Sequence, residues 1–262
     1  MDKNTFIEKI LHSGSFDDTT TMARLYDKIV LAEKTGRTVF TSEFYPPNVW
    51  GSLLKLKTQF DVSFYTYGVF QDSERRIIGI ANEEINTYDF PLELIKIKAN
   101  NKFSSITHRD YLGSIMSLGI KREKFGDLIL KNDSCYAAVQ EEISDYLQFN
   151  LTRVKNSPCS VEVIDLDSEE KPVHEFEYIN IISTSLRLDC MVGSICGISR
   201  SSSDDLIRQG KVMVDYVPVM RRDYILDIDN LIVIRGYGKL ILNKITGATG
   251  SGRLRVQLKK YI

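Results

Sequence analysis

The chain reads as an α+β protein in three successive parts, and three observations carry that reading. Helical spacing of apolar residues dominates the first part. Strand and helix patterns alternate through the middle. Two short amphipathic helices then lead into a run of strands where basic residues concentrate. The parts are expected at residues 1–86, 87–182 and 183–262. At 262 residues the chain is long enough for two or three small cores.

The first part is an N-terminal α/β segment. Phe6, Ile10 and Leu11 recur at helical spacing, as do Met22, Leu25, Tyr26, Ile29 and Val30, and Gly36 marks a stop. A short strand at Val39-Phe40 precedes Pro46-Pro47, which suit the first turn of a helix carrying Val49, Leu53, Leu54 and Leu56. The β-branched and aromatic run from Val62 to Phe70 faces Arg76 to Ile80 across a polar turn, Gln71 to Glu74. That is a hairpin signal.

In the second part, Leu92 to Lys98 alternates apolar and polar residues as a strand does. Thr107 followed by Asp110 has the spacing of a capping box, and Gly119 is the stop. Tyr111, Leu112, Ile115, Met116 and Leu118 are the expected buried stripe of that helix. Asp127 to Leu130 and Cys135 to Ala138 flank the turn Lys131 to Ser134. A helix with Val139, Ile143, Tyr146 and Leu147 on one face follows, then strands at Leu151 to Val154 and Val161 to Ile164. The order β-α-β-β-α-β is that of a ferredoxin-like or RRM-like layer. RRM sheets read bases through aromatics on their inner strands, and here those strands offer only Tyr136. A structural or protein-contact role is therefore expected for this sheet. The acidic stretch holding Asp165, Asp167, Glu169, Glu170, Glu175 and Glu177 reads as a surface loop, then a last strand from Phe176 to Ile182.

Composition narrows the function classes. Apolar and charged fractions of 43% and 26% are those of an ordinary globular protein. No apolar run approaches the roughly 20 residues of a membrane-spanning helix. Met1 to Phe6 lacks the basic-then-apolar layout of a secretory signal, so a cytoplasmic protein is expected. Cys135, Cys159, Cys190 and Cys196 form no Cys-x-x-Cys pair, which points to free thiols with no metal and no cofactor. The net charge of −1 hides a segregation: residues 183–262 carry 13 Lys and Arg against 7 Asp and Glu, and residues 1–182 carry 21 against 28. A nucleic-acid-binding module attached to a non-binding body has that distribution.

In the third part, Leu188, Met191, Val192 and Ile195 give the first helix one buried face, and Gly197 suits its left-handed terminus. Ser199 is placed to cap the second helix, with Arg200 beside that N-terminus, an arrangement suited to phosphate. Arg200 and Lys211 show no local partner in the sequence and are the leading RNA contacts. Arg208 has Asp204 four residues before it, so an intrahelical pair competes with an RNA role. Arg187 and Asp189 flank Leu188 and read equally as fixing the start of the module. Arg221, Arg222, Arg235 and Lys239 form a second basic group. A basic tail follows with Arg253, Arg255, Lys259 and Lys260; Gly247, Gly250 and Gly252 suggest a flexible lead into a final strand, Leu254 to Leu258. In the middle part, Lys121, Arg122 and Lys124 are a candidate secondary RNA contact, with a solvated loop the competing reading.

The sequence Arg187-Leu188-Asp189, Gly197-Ile198-Ser199-Arg200, Ile207 to Val212 and Ile232 to Gly238 resembles the S4 RNA-binding domain. Together with His108 to Gly113 and Gly119 to Asp127, the whole chain resembles the YlmH-type S4 proteins of Firmicutes. The resemblance implies a ribosome-associated, noncatalytic factor. It would dock on rRNA of the large ribosomal subunit, with peptidyl-tRNA a further partner, and serve quality control of stalled translation as a monomer. Two positions depart from the S4 pattern: Val214-Asp215 replaces Val-Asn, and Asp229-Asn230 replaces Gly-Asp. The departure puts an RNA contact at Asp215 in doubt. The competing classes are an RNA-modifying enzyme and a protein-interaction adaptor. Arg187-Leu188-Asp189 matches half of a pseudouridine-synthase motif, but an amphipathic helix follows it. No glycine-rich cofactor loop of a methyltransferase appears, and His12, His108 and His174 sit in no triad pattern.

Overall fold

The computed structural model describes residues 1–11, 19–100, 106–168 and 171–261. His12, Glu169 and Glu170 lie outside the described residues. Among the described residues there are seven α-helices and three sheets, and no helix is long and apolar enough to cross a membrane. Two compact units form, Met1–Ile10 with Asp18–Val173, and a second built from His174–Ile262.

The first unit opens with helices α1 (Lys3–Leu11) and α2 (Thr19–Thr35), which bury Phe6, Ile10, Met22, Leu25 and Ile29. Strand β1 (Val39–Phe40) and helix α3 (Pro47–Lys55) follow, the latter with proline at its first turn as expected. Strands β2 (Ser63–Tyr67) and β3 (Ile77–Ala81) make the hairpin, pairing Phe64 with Ile80 and Tyr67 with Ile77. The small antiparallel sheet runs β1-β3-β2.

Then come β4 (Leu92–Ala99), α4 (His108–Ser117), β5 (Phe125–Lys131), β6 (Ser134–Gln140), α5 (Glu141–Asn150), β7 (Arg153–Val154) and β8 (Ser157–Ile164). The sheet order is β5-β6-β4-β8-β7, each neighbour antiparallel. The capping box at α4 forms: Thr107 N–H and Oγ1 donate to Asp110 at 2.9 and 2.8 Å. The β5–β6 turn bends at Asn132 and Asp133, both in the left-handed region. Tyr111 and Ile115 of α4 are buried, whereas Met116 is exposed, one position round the helix from the core stripe. Val139 lies in β6 rather than starting α5, and Tyr146 is exposed.

The first two expected parts fold as one unit because both faces of the five-stranded sheet are covered. One face packs Ile95, Ile97, Cys135 and Ala137 against Tyr111, Ile115 and Leu147 of α4 and α5. The other packs Leu94, Ile129, Tyr136 and Ala138 against Phe44, Val69, Phe70 and Ile77 of the N-terminal segment. The face an RRM would offer to bases is thus apolar core.

In the second unit, β9 (Phe176–Ser183) precedes α6 (Leu188–Cys196), α7 (Arg200–Arg208), β10 (Val212–Val214), β11 (Val217–Pro218), β12 (Leu231–Ile234), β13 (Gly238–Ala248) and β14 (Leu254–Tyr261). The sheet order is β11-β10-β12-β13-β14-β9. Strand β9, assigned from sequence to the end of the middle part, pairs instead with β14 over its whole length, Leu254 with Ser183 through Tyr261 with Phe176. The boundary near residue 182 therefore moves to Val173. The expected basic tail is no tail. Alternating Leu254, Val256 and Leu258 turn into the core, which fixes β14 between β13 and β9. Gly247 lies within β13, so the glycines belong to a long bulged hairpin rather than a flexible lead.

Candidate nucleic-acid interface

Two short helices position the first cationic cluster. Gly197 ends α6 at φ 65°, a conformation in which a Cβ would be strained. Ser199 then caps α7, its Oγ accepting from Ser202 N–H at 3.1 Å. The buried Ser203 hydroxyl donates to the Asp189 carbonyl at 2.8 Å and ties α7 to α6. Leu188 and Asp189 N–H donate to the carbonyls of Tyr224 and Arg222 at 2.8 and 3.1 Å, which brings Arg222 to the start of α6.

Asp189 organises the cluster. Its side chain is 1% exposed and binds two guanidinium groups. Arg187 Nε and Nη2 donate to its two oxygens at 3.1 Å each, and Arg200 Nε donates to Oδ2 at 2.9 Å. The Cys190 N–H adds a fourth donor at 2.9 Å. Burial alone would raise the Asp189 pKa, but the Arg187, Arg200 and Cys190 hydrogen bonds outweigh it and bring the value down to about 2. Arg200, expected without a local partner, has one. The pairing uses one edge of its guanidinium, and its side chain stays 63% exposed.

A neighbouring carboxylate repeats the pattern. Asp204 accepts from Arg208 at 2.6 Å, the expected i,i+4 pair, and from Arg222 at 3.5 Å. Arg187, Asp189, Arg200, Ser201, Asp204 and Arg222 line an open cleft of about 440 Å³. Both carboxylates there are already engaged by guanidinium groups, and the Arg200 and Arg222 side chains stay exposed near the start of α7, an arrangement able to take an anion.

The remaining predicted residues fall elsewhere. Lys211 and Arg235 are joined through the Arg235 N–H to Lys211 carbonyl bond at 2.9 Å, and neither side chain makes an ion pair among the described residues. Arg221 is exposed and pairs with Asp223 at 3.4 Å. Lys239 lies over the rings of Tyr216 and Tyr261, at 5.7 and 5.1 Å. The middle-part cations are mostly committed to the fold. Arg122 donates to the Phe125 and Gly126 carbonyls at 2.7 and 3.0 Å and stacks on Phe125, and burial followed by repulsion from Arg75 lowers its pKa to about 10. Lys124 donates to the Ser42 carbonyl at 2.9 Å. Only Lys121 of that trio is exposed.

Both departures from the S4 pattern meet in one contact. Asp215 stands in the left-handed region at φ 49° in the β10–β11 turn. Its carboxylate accepts from Leu231 N–H and from Asn230 Nδ2, both at 2.8 Å. The chain thus pairs a carboxylate at 215 with an amide at 230, the reverse of the residue types that the S4 pattern carries at these two positions.

A family described as "Putative RNA-binding domain in YlmH" matches residues 86–168. The chain is 30% identical over 221 residues to the ribosome-associated protein quality control protein P2 of Bacillus subtilis (strain 168), spanning 84% of this chain and 86% of that protein. The chain belongs to the YlmH family. A solved YlmH structure, the cell division protein ylmH from Streptococcus pneumoniae, shares the fold with a TM-score of 0.50 at 22% identity. It aligns over 60% of this chain and 96% of its own. The family description attaches RNA binding to β4 through β8, the segment for which the sequence suggests a structural or protein-contact role.

Proposed function

We propose that this YlmH-family chain is a cytoplasmic, monomeric, noncatalytic RNA-binding factor that docks on rRNA of the large ribosomal subunit. The observation that carries the reading is the cleft in which Asp189 holds Arg187 and Arg200 beside Arg222. Preoriented guanidinium forks with free N–H donors recognise phosphates of structured RNA better than mobile surface cations do. Two helices set on a small antiparallel sheet agree with an S4-type module, and the 2-3-1-4 strand order of β4, β5, β6 and β8 agrees with a ferredoxin-like layer. The name of the Bacillus relative favours a role in quality control of stalled translation, where peptidyl-tRNA is the further partner. Asp189 supports the noncatalytic reading, since its buried, doubly paired carboxylate is not presented as a nucleophile.

Because both faces of the five-stranded sheet are core, RNA contact by the first unit falls to its rim. Lys98 pairs with Ser134 at one end of β4, and Lys131 faces Ser134 across the β5–β6 turn, so the two lysines flank one sheet end. Lys121 is exposed and adds to the first unit's cationic surface.

Co-sedimentation with separated ribosomal subunits at low and raised salt tests the proposal. Arg200→Gln/Arg222→Gln is the cleft variant, because a charge reversal at Arg200 would set a carboxylate against Asp189. Salt-sensitive pelleting with the large subunit, weakened in the folded cleft variant and in Lys211→Glu/Arg235→Glu, is the expected result. Pelleting unchanged in the cleft variant would move the contact to the first unit. No pelleting with either subunit would overturn the ribosomal role.

A further inference from the structure

We infer that the sheet face of the second unit turned away from α6 and α7 is a separate binding surface for unpaired nucleotides of RNA. The inference rests on the RNA-binding reading of the chain but uses none of the residues of the arginine cleft.

Strand alternation builds this face. Leu240, Leu242, Val256, Leu258, Ile179 and Ile181 turn toward the helices and form the core with Leu188, Met191 and Val192. Their strand neighbours therefore point the other way. Lys259 is in register with Tyr178 and Ile241, and Tyr261 with Phe176, so cations and rings share one surface. Lys259 lies 5.9 Å from the Phe176 ring centre and Lys239 5.1 Å from that of Tyr261, while the Phe176 and Tyr261 rings are 4.8 Å apart.

An amide row crosses three strands of the same face. Asn243 Nδ2 donates to Gln257 Oε1 at 2.9 Å, and Gln257 Nε2 donates to Asn180 Oδ1 at 3.4 Å. Tyr178 stands beside this row with 57% of its surface exposed and makes no hydrogen bond, ion pair or ring contact among the described residues. Ile182, four residues further along β9, is 53% exposed.

Charge selects the occupant. The six strands contain one carboxylate, Glu177, and alternation puts it on the helix side, where it pairs with Lys260 at 3.5 Å. Alternation puts Arg255 and Lys259 on the open face, and the bulge after Leu242 adds Lys244 opposite Gln257; none of these three makes an ion pair among the described residues. Lys239 joins them over the Tyr261 ring. A cationic sheet face with an open tyrosine ring and a row of amides suits single-stranded RNA. Phosphates meet the cations, bases stack on the rings, and base edges meet the amides. A duplex hides its base faces and gains only the phosphate contacts. A polypeptide partner would gain from Tyr178 and Ile182 but would leave the cations unmatched unless strongly acidic.

The test uses the full chain with a fluorescent oligouridylate of about ten nucleotides and a blunt RNA duplex of equal length. Tyr178→Ala is expected to weaken oligouridylate binding about tenfold, within the range for loss of one stacked base, and to leave duplex binding unchanged. Tyr178→Phe keeps the ring and should bind like wild type. The cleft variant Arg200→Gln/Arg222→Gln should lose duplex affinity, so failure of the cleft reading shows in a different arm. Wild-type oligouridylate affinity in Tyr178→Ala, or no oligouridylate binding by the unaltered chain, would overturn the inference. Loss of subunit pelleting in Tyr178→Ala with oligonucleotide binding intact would assign the face to a protein partner and would equally overturn it.

Discussion

Replacing Asp189 with asparagine separates two effects that pull RNA affinity in opposite directions. Long-range electrostatics favours the variant, since it removes an anion from the wall of a phosphate site. At about 6 Å in a water-like dielectric that gain is about 0.7 kcal/mol. Positioning opposes it. Asparagine retains one acceptor oxygen and sets an NH2 group against N–H donors that the lost oxygen held, so both guanidinium groups are held more loosely, and each must be ordered again on binding at about 0.5–1.5 kcal/mol. Two such costs exceed the gain, so the net effect is about 1 kcal/mol, roughly five- to tenfold weaker binding. The same substitution has a pH signature in stability. The folded Asp189 pKa lies at about 2 against an ordinary 3.8. The carboxylate therefore stabilises the fold fully above about pH 4, and that contribution fades as pH falls through about 2. At about 1.4 kcal/mol per pH unit, the depression is worth about 2 kcal/mol, retained by wild type and absent from the variant. Urea denaturation at a series of pH values, with RNA duplex titration at pH 7, reads both effects. A stability difference that stays constant from pH 7 to pH 2, or an Asp189→Asn chain that binds duplex more tightly, would refute the clamp.

Arg122→Met should lower the urea midpoint by the equivalent of about 2 kcal/mol, because the Phe125 and Gly126 carbonyls lose their donor; duplex affinity should not change. A reduced RNA affinity at unchanged stability would return Arg122 to the interface. Asp215→Asn and Asn230→Asp should each destabilise by about 1 kcal/mol. The double exchange should restore most of the loss, since an amide at 215 can accept from Leu231 N–H while donating to a carboxylate at 230. Additive losses in denaturation would show that the two positions are not a pair.

The parts legible in the sequence were those set by short-range physics. The Thr107–Asp110 box, Pro47 at the start of α3, the Ser199 cap and the Asp204–Arg208 pair each involve neighbours within four residues, and each forms. What the sequence concealed depends on contacts distant along the chain. Asp189 and Arg200 are eleven residues apart and meet only because Ser203 fixes α7 against α6. Strand β9 shows an ordinary alternating pattern that does not say which sheet it joins; its partner lies some eighty residues later in β14. Glycines at 247, 250 and 252 resemble a linker by composition, yet cross-strand pairing and bulges place them in and near a hairpin. Arg122 was indistinguishable from a solvated cation until the covering Phe125 ring and two carbonyls were seen together.

The sheet of the second unit explains why its cations divide into two groups with different chemistry. On the helix side, charged residues sit at helix starts and loop ends, so carboxylates can approach and hold guanidinium groups in fixed orientations. Such a surface matches the regular phosphate spacing of a folded RNA. On the open side, period-two alternation places cations between aromatic and amide side chains, with no strand carboxylate to orient them. Lysine suits that setting, since a compact charge on a flexible stem follows an irregular backbone better than a planar fork does. Arg187, Arg200 and Arg222 line the cleft, and Lys239, Lys244 and Lys259 supply three of the four cations of the open face. The two faces belong to one core, yet a single straight duplex cannot touch both. Engagement of both requires RNA that is folded on one side and unpaired on the other, as at the junction of a stem and a loop.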